Sequence, residues 1–252
     1  MTCKTIAAHL DTVLRIHSFA DVSNNGLQVE NRGEITKVLT GVDASIDTFE
    51  RAVALGAQMV VVHHGLSWGN SLARIDGSNY TLVSYLIKHN LALYACHLPL
   101  DAHPTLGNNA GLADVLNLQD RSPFFEYRGQ RIGIAGTLPQ PMSRDAFEAL
   151  VRKGVDPERI ERFDCGRPVI QTVGLCSGGA PEGIEQAAAA GLDIYVGGEV
   201  SLIAYNLAKH CSINALFAGH YATERFGVRA LARLLREDLS LSAEFVDFRL
   251  PW

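Results

Sequence analysis

The sequence predicts an α/β protein built as two related three-layer α/β halves with mixed sheets, and three observations carry that reading. Val38 to Gly65 reads as strand, turn, helix, strand: an apolar run Val38-Leu39-Thr40-Gly41-Val42, then Ser45 as N-cap, Ile46 to Leu55 as helix, Gly56 at its end and Met59-Val60-Val61-Val62 as a buried strand. Sliding the chain by 135 residues lays Val173 to Val200 on this unit without a gap, pairing Val38 with Val173, Glu50 with Glu185, Ala52 with Ala187, Ala54 with Ala189, Gly56 with Gly191 and Val61 with Val196. The matched positions are structural ones. Gly56 and Gly191 each stand where a helix needs a left-handed C-cap, and the alanines fall on the face that packs closely on a sheet. Finally, Leu93-Tyr94-Ala95-Cys96-His97 is similar to Leu216-Phe217-Ala218-Gly219-His220, each a short strand ending in histidine with a carboxylate four residues on, Asp101 and Glu224.

The other elements follow in order. Thr2 to Ile16 places Ile6, Leu10, Val13 and Leu14 near helical spacing and reads as an amphipathic helix. Asn24-Asn25-Gly26 is a turn feeding a strand, Leu27-Gln28-Val29. Ala110 to Leu116 reads as a helix, and the boundary between halves is expected in the basic stretch Arg121 to Arg131, giving domains 1–124 and 125–252 with the reservation that the halves intertwine. Phe226 to Leu235 and the alternating Ala243 to Phe248 close the chain as helix and strand.

Composition narrows the class. At 252 residues, 47% hydrophobic and 19% charged, with mean hydropathy near zero, the chain has enough apolar content to bury a core and no window long enough for a bilayer span. His9 and Asp11 interrupt the apolar N-terminal patch, so no signal peptide is read and the cytoplasm is expected. Five cysteines without a CxxC pair fit reduced thiols. A formal charge of −5 gives no basic footprint for a nucleic-acid backbone but leaves an anionic small substrate open if divalent cations are bound.

The chemistry gathers at strand ends. The apolar run at Met59 ends in His63-His64-Gly65, at the carboxyl end of a strand, where α/β sheets place ligands. With His97 and Asp101, and His220 and Glu224, three clusters supply imidazole and carboxylate for two metals, and a mixed nitrogen and oxygen set suits Zn, Mn, Fe, Co or Ni. His220 and Glu224 stand at the i, i+4 spacing of one helix face, whereas Pro99 is expected to keep Asp101 off a helix and on a loop. Glu224 or Asp101 is the expected bridge between two mutually repelling ions. Ser177-Gly178-Gly179, between a strand and a helix, is a candidate cradle for substrate phosphate. His9, His17, His89, His103 and His210 read as surface or loop residues.

Asn25-Gly26-Leu27-Gln28-Val29, Val61-Val62-His63-His64-Gly65, His97-Leu98-Pro99-Leu100-Asp101 with Gly107-Asn108-Asn109, Gly197-Gly198-Glu199-Val200 and Gly219-His220 with Ala222-Thr223-Glu224 together resemble the Nif-three-like family of GTP cyclohydrolase I type 2 homologues, in its short bacterial form. The resemblance runs nearly end to end. It implies a dinuclear metal site at the interface of two α/β domains, with His63, His64, Asp101, His220 and Glu224 as ligands to two divalent ions. It places His97 beside them, outside the ligand set or as a proton donor. It also implies a toroidal homohexamer and a purine nucleotide substrate whose ring is opened by metal-assisted hydrolysis, or a damaged nucleotide. The alternative function is a metal carrier or regulatory adaptor without turnover.

Overall fold

The computed structural model describes residues 1–248, which fall into two compact units, Met1–Leu100 with Gly227–Phe248, and Asp101–Phe226. In the first unit, α1 (Cys3–Leu14) starts where the Thr2 side chain accepts a hydrogen bond from the Thr5 amide and stops at Arg15, which is left-handed. Next come β1 (Gly26–Val29), β2 (Lys37–Asp43), α2 (Ile46–Ala54), β3 (Met59–His64), α3 (Gly77–Lys88) and β4 (Ala92–Ala95). Ser45 caps α2 by accepting from the Thr48 amide.

The first sheet has the order β1-β4-β3-β2-β11, where β11 (Ser242–Phe245) returns from the end of the chain to pair parallel with β2. Only β1 is antiparallel, against β4. Side chains alternate across the strands and fill two faces. Leu39, Val60, Val62 and Leu93 pack with Phe49 and Ala52 of α2 and Leu86 of α3. On the other face the Tyr94 hydroxyl donates to Asp11 of α1 at 2.9 Å, and the Thr40 hydroxyl donates to the Val228 carbonyl at 2.8 Å.

The second unit opens within α4 (Leu98–Ala102) and continues through α5 (Asn108–Val115), β5 (Gln119–Tyr127), β6 (Gln130–Ser143), α6 (Arg144–Val155), β7 (Glu161–Phe163), β8 (Val169–Leu175), α7 (Gly183–Ala189), β9 (Ile194–Gly197), α8 (Leu202–His210), β10 (Asn214–Phe217) and α9 (His220–Thr223). Helix α10 (Arg225–Leu239) starts here and runs on into the first unit. Its sheet has the order β5-β6-β8-β9-β10-β7, with β8, β9 and β10 parallel and the rest antiparallel. Leu112 of α5 and Phe147 and Val151 of α6 pack with Val173, Leu175, Ile194 and Val196. Tyr195 points the opposite way, toward α7, where a Cβ on Gly183 would overlap its ring. Both units are three-layered.

The internal repeat is visible in the strand registers. Val38 lies opposite Met59 in the first sheet, and Val173 lies opposite Ile194 in the second, so both strands of the pair shift by the same 135 residues. Gly56 and Gly191 adopt φ of +71° and +70°. The third strand needs a correction of one residue: Val61 lies opposite Tyr94 and Val196 opposite Leu216, so His97 corresponds to Gly219 rather than His220.

The boundary expected between residues 124 and 125 falls inside β5. Arg121 to Arg131 forms a hairpin with β6, whose Arg128-Gly129 turn has φ of +51° and +77° at its two residues, as a tight hairpin demands. The units divide instead at Leu100/Asp101 and Phe226/Gly227, because β11 completes the first sheet. Among the described residues no helix is long and apolar enough to cross a membrane, and all five cysteines are thiols.

Candidate metal centre

In the first unit β3 ends in His63, fully buried, and His64, half-buried. Each imidazole is held through Nδ1. His63 Nδ1 is 2.9 Å from the Cys96 carbonyl, and His64 Nδ1 is 2.8 Å from Asp43 Oδ1, the residue opposite it on β2. An oxygen acceptor on Nδ1 fixes the proton there and leaves Nε2 as the nitrogen a metal takes. His97, just past β4, follows the same pattern, with Nδ1 2.9 Å from Asp21 Oδ1. Its ring centroid lies 5.1 Å from that of His63 and 5.7 Å from that of His64. One nitrogen from each of these three rings lies within 4.8 Å of the other two.

Asp21 is the anchor of this arrangement. Its side chain is 2% exposed, and besides His97 it accepts from the Leu98 and Ser23 amides and the Asn25 side chain. Burial pushes the Asp21 carboxyl up, but the His97 hydrogen bond and charge, with Asn25 and the Ser23 amide, outweigh it and hold the group well below the usual carboxylate range. Asn25 also accepts from the His97 amide at 2.8 Å.

In the second unit Asp101 lies on the short helix α4, not on a loop. Pro99 sits in the first turn, where no backbone N–H is needed, so the proline starts this helix instead of breaking it. Asp101 is 5% exposed, and its Oδ1 accepts from the Asn108 amide group and the Ser177 hydroxyl, both at 2.9 Å. His220 and Glu224 take the expected spacing across α9, with Nε2 3.0 Å from Oε1, while His220 Nδ1 lies 2.7 Å from Glu199 Oε1. Burial alone would lower the His220 pKa. Glu224, with Glu199 behind it, reverses this and raises it to about 9. Burial first, then the charges of Asp101, Glu224 and Glu182, push the neighbouring Cys176 thiol far up, so it stays protonated.

The glycine-rich loop has a different use from the phosphate cradle expected of Ser177-Gly178-Gly179. The Ser177 amide donates to Asn109 Oδ1 at 2.8 Å and the Gly178 amide to the Thr223 hydroxyl at 3.1 Å, so two of the three amides are spent inside the protein. Gly178 has φ +69°, and a Cβ there would overlap Glu224 Oε1 and sit 3.1 Å from His220 Nε2. Glycine is what lets this loop close over the carboxylate and imidazole and leaves room at their donor atoms.

Three carboxylates escape the sequence reading: Asp21, Asp43 and Glu199. Glu199 alone has a signal, since the repeat places it at the position of His64. Asp43 ends β2 as His64 ends β3, but a carboxylate at a strand end is ordinary surface chemistry until its partner is known.

The donors fit a divalent metal. Three imidazoles of the first unit and one of the second are each fixed through Nδ1 to an oxygen, two acid groups of the second unit, Asp101 and Glu224, are buried, and Gly178 keeps the space at His220 and Glu224 open. The molecule is thus a two-unit α/β protein carrying imidazole and carboxylate sets of metal-binding type. Residues 1–250 match the Duf34/NIF3 (NGG1p interacting factor 3) family, and the chain belongs to it. Relatives named GTP cyclohydrolase 1 type 2 homolog include one from Deinococcus radiodurans, 41% identical over 95% of this chain and 90% of its own, and one from Archaeoglobus fulgidus, 39% identical over 98% of both. Among solved structures, protein ybgI, described as of unknown function, superposes with TM-score 0.93 at 34% identity over 100% of both chains. A crystal structure of a Thermus thermophilus protein gives TM-score 0.87 at 32% identity, again over 100% of both chains.

Proposed function

We propose that His63, His64, Asp101, His220 and Glu224 hold two divalent metal ions and that the protein is a metal-dependent hydrolase acting on a nucleotide, by ring opening of the kind the relatives' name describes or by hydrolysis of a damaged nucleotide. The observation that carries the reading is the shared anchoring of His63, His64 and His220, each with Nδ1 on an oxygen, together with the burial of the carboxylates Asp101 and Glu224. Bound there, such ions polarise water and an electrophilic carbon or phosphorus.

The chain's own residues set the geometry. Asn108 and Ser177 fix the orientation of the Asp101 carboxylate through one oxygen, and Glu199 turns the His220 ring. Asp43 does the same for His64. The Ser177-Gly178-Gly179 loop acts on this reading as support for Asp101 and Glu224. The reading includes a homohexamer in the cytoplasm; the exposed apolar residues Leu202 and Ile203 at the start of α8, 75% and 64% exposed, support a contact between copies.

The test is elemental analysis of Asp101→Asn and Glu224→Gln beside the parent protein. Each variant is expected to lose at least one metal while keeping its circular dichroism spectrum; full occupancy in both would sink the assignment. Mn-, Zn- and Fe-loaded protein is then incubated with GTP, modified nucleotides and single-stranded DNA. Metal-dependent release of formate or phosphate that disappears in His63→Ala supports the hydrolase. Readily exchangeable metal with no turnover supports a carrier.

A further inference from the structure

His97 stands apart in the first unit. Its ring is placed as those of His63 and His64 are, and its own support is extensive. The buried Asp21 carboxylate holds its Nδ1, Asn25 holds its backbone amide, and Asp21 also takes the Leu98 amide on the next residue. The indole of Trp68 stands edge-on to it, with centroids 5.0 Å apart and planes at 73°, and lies 6.0 Å from the His64 ring. Trp68 is itself pinned: its Nε1 donates to the Gly65 carbonyl at 2.7 Å, its amide donates to the Ser71 hydroxyl, and Ser23 pairs with it as an isolated bridge.

We propose that His63, His64 and His97 form a three-imidazole site for a divalent metal that is complete within the first unit, with Asp21 as the positioning residue for His97. The inference rests on the reading of this protein as a metal binder, and adds an ion-binding mode that needs none of Asp101, His220 and Glu224. Two nitrogens about 2.1 Å from one tetrahedral ion are about 3.4 Å apart. The nitrogens here lie within 4.8 Å of one another, so side-chain rotation of the order of an ångström brings all three onto one ion.

Three neutral imidazoles select zinc, cobalt, nickel or copper over the hard magnesium and calcium, which take oxygen. Three protein donors also leave a coordination position for water or a further ligand. Asp43 and Asp21, hydrogen-bonded to two of the rings, place negative charge behind a cation without touching it. A carboxylate behind a ligating imidazole raises its basicity and fixes its plane, which is the role the buried Asp21 is built for. A chain with this site keeps one ion when the second unit's donors are lost.

The experiment removes those donors from the full chain as Asp101→Asn/His220→Ala/Glu224→Gln and titrates the chelator-treated protein with Co2+. One Co2+ per chain is expected, seen by visible absorption and by quenching of Trp68 fluorescence that Trp68→Phe removes. Adding His97→Ala should abolish this ion, and Asp21→Asn should weaken it roughly 10- to 100-fold. No Co2+ bound by the triple variant overturns the proposal, as does unchanged stoichiometry and spectrum in the presence of His97→Ala.

If the triple variant fails to fold, 15N-histidine spectra of Glu224→Gln with limiting Zn2+ decide: a coordination shift at His97 Nε2 supports the site and its absence overturns it. A parent protein that binds no metal defeats the dinuclear reading and this one together. A protein that loses metal in Glu224→Gln and whose remaining binding is unchanged when His97→Ala is added to that variant defeats this one alone and returns His97 to the part of proton donor.

Discussion

His220 and Asp21 carry opposite electrostatic consequences, and both are measurable. With no metal bound, His220 between Glu224 and Glu199 has its pKa raised to about 9, above the ordinary histidine value. A group with a raised folded-state pKa contributes its stability in full below the unfolded value and loses it as pH climbs through the folded one. Chelator-treated protein should therefore lose stability between about pH 6.5 and 9. Urea midpoints across that window are expected to fall in the parent and to fall less in Glu199→Gln, where Glu224 remains; an equal fall in both would refute the part given to Glu199. Asp21 works the other way: its depressed carboxyl stabilises above the ordinary carboxylate range and that contribution is lost as the solution becomes more acid. On the proposed metal-binding reading an ion takes the place of a proton on His220, so binding should release protons most strongly below pH 9, which calorimetry in buffers of different ionisation enthalpy would detect.

At the scale of elements the repeat makes its own prediction. Gly56 and Gly191 close α2 and α7 with φ near +70°, and an added Cβ meets nothing within 4 Å at either position. Only backbone strain then separates glycine from alanine, about 1 kcal/mol for a left-handed L-residue. Gly56→Ala and Gly191→Ala should each lower stability by about that amount in chemical denaturation; a several-fold difference between them would mean that the two caps are not equivalent.

The βαβ units are legible because hydrophobic period, N-cap serine and C-cap glycine are local signals. Other elements are not. Pro99 inside α4 reads as a breaker, since its tolerance depends on where the helix starts, which the sequence around it does not mark. The one-residue slip of β4 against β10 is hidden too, because short apolar strands fit two alignments equally well and only the ladder fixes the register.

For the whole molecule the return of β11 to the first sheet decides the division of the chain, and the exposed Leu202 and Ile203 on α8 bear on the proposed assembly. Two exposed large apolar side chains in succession on a helix are costly to leave in water. Leu202→Glu/Ile203→Glu should shift the protein to a smaller species in light scattering while leaving the circular dichroism spectrum intact. An unchanged mass would remove α8 from the proposed hexamer contact.

By itself the sequence determined the α/β class, the duplicated βαβ unit and the clusters His63-His64, His97 with Asp101 and His220 with Glu224 as candidates, because strand-end polar residues after apolar runs and cap signals are written in neighbouring positions; the family resemblance singled out His63, His64, Asp101, His220 and Glu224 among them. The tertiary structure alone decided what holds those side chains. Asp21 reaches His97, Asp43 reaches His64, Glu199 reaches His220 and Ser177 reaches Asp101 across separations of 76, 21, 21 and 76 residues. Hydrogen bonds of that sequence range depend on strand order and register, which a chain acquires only when non-local strands pair; no periodicity along the sequence encodes them.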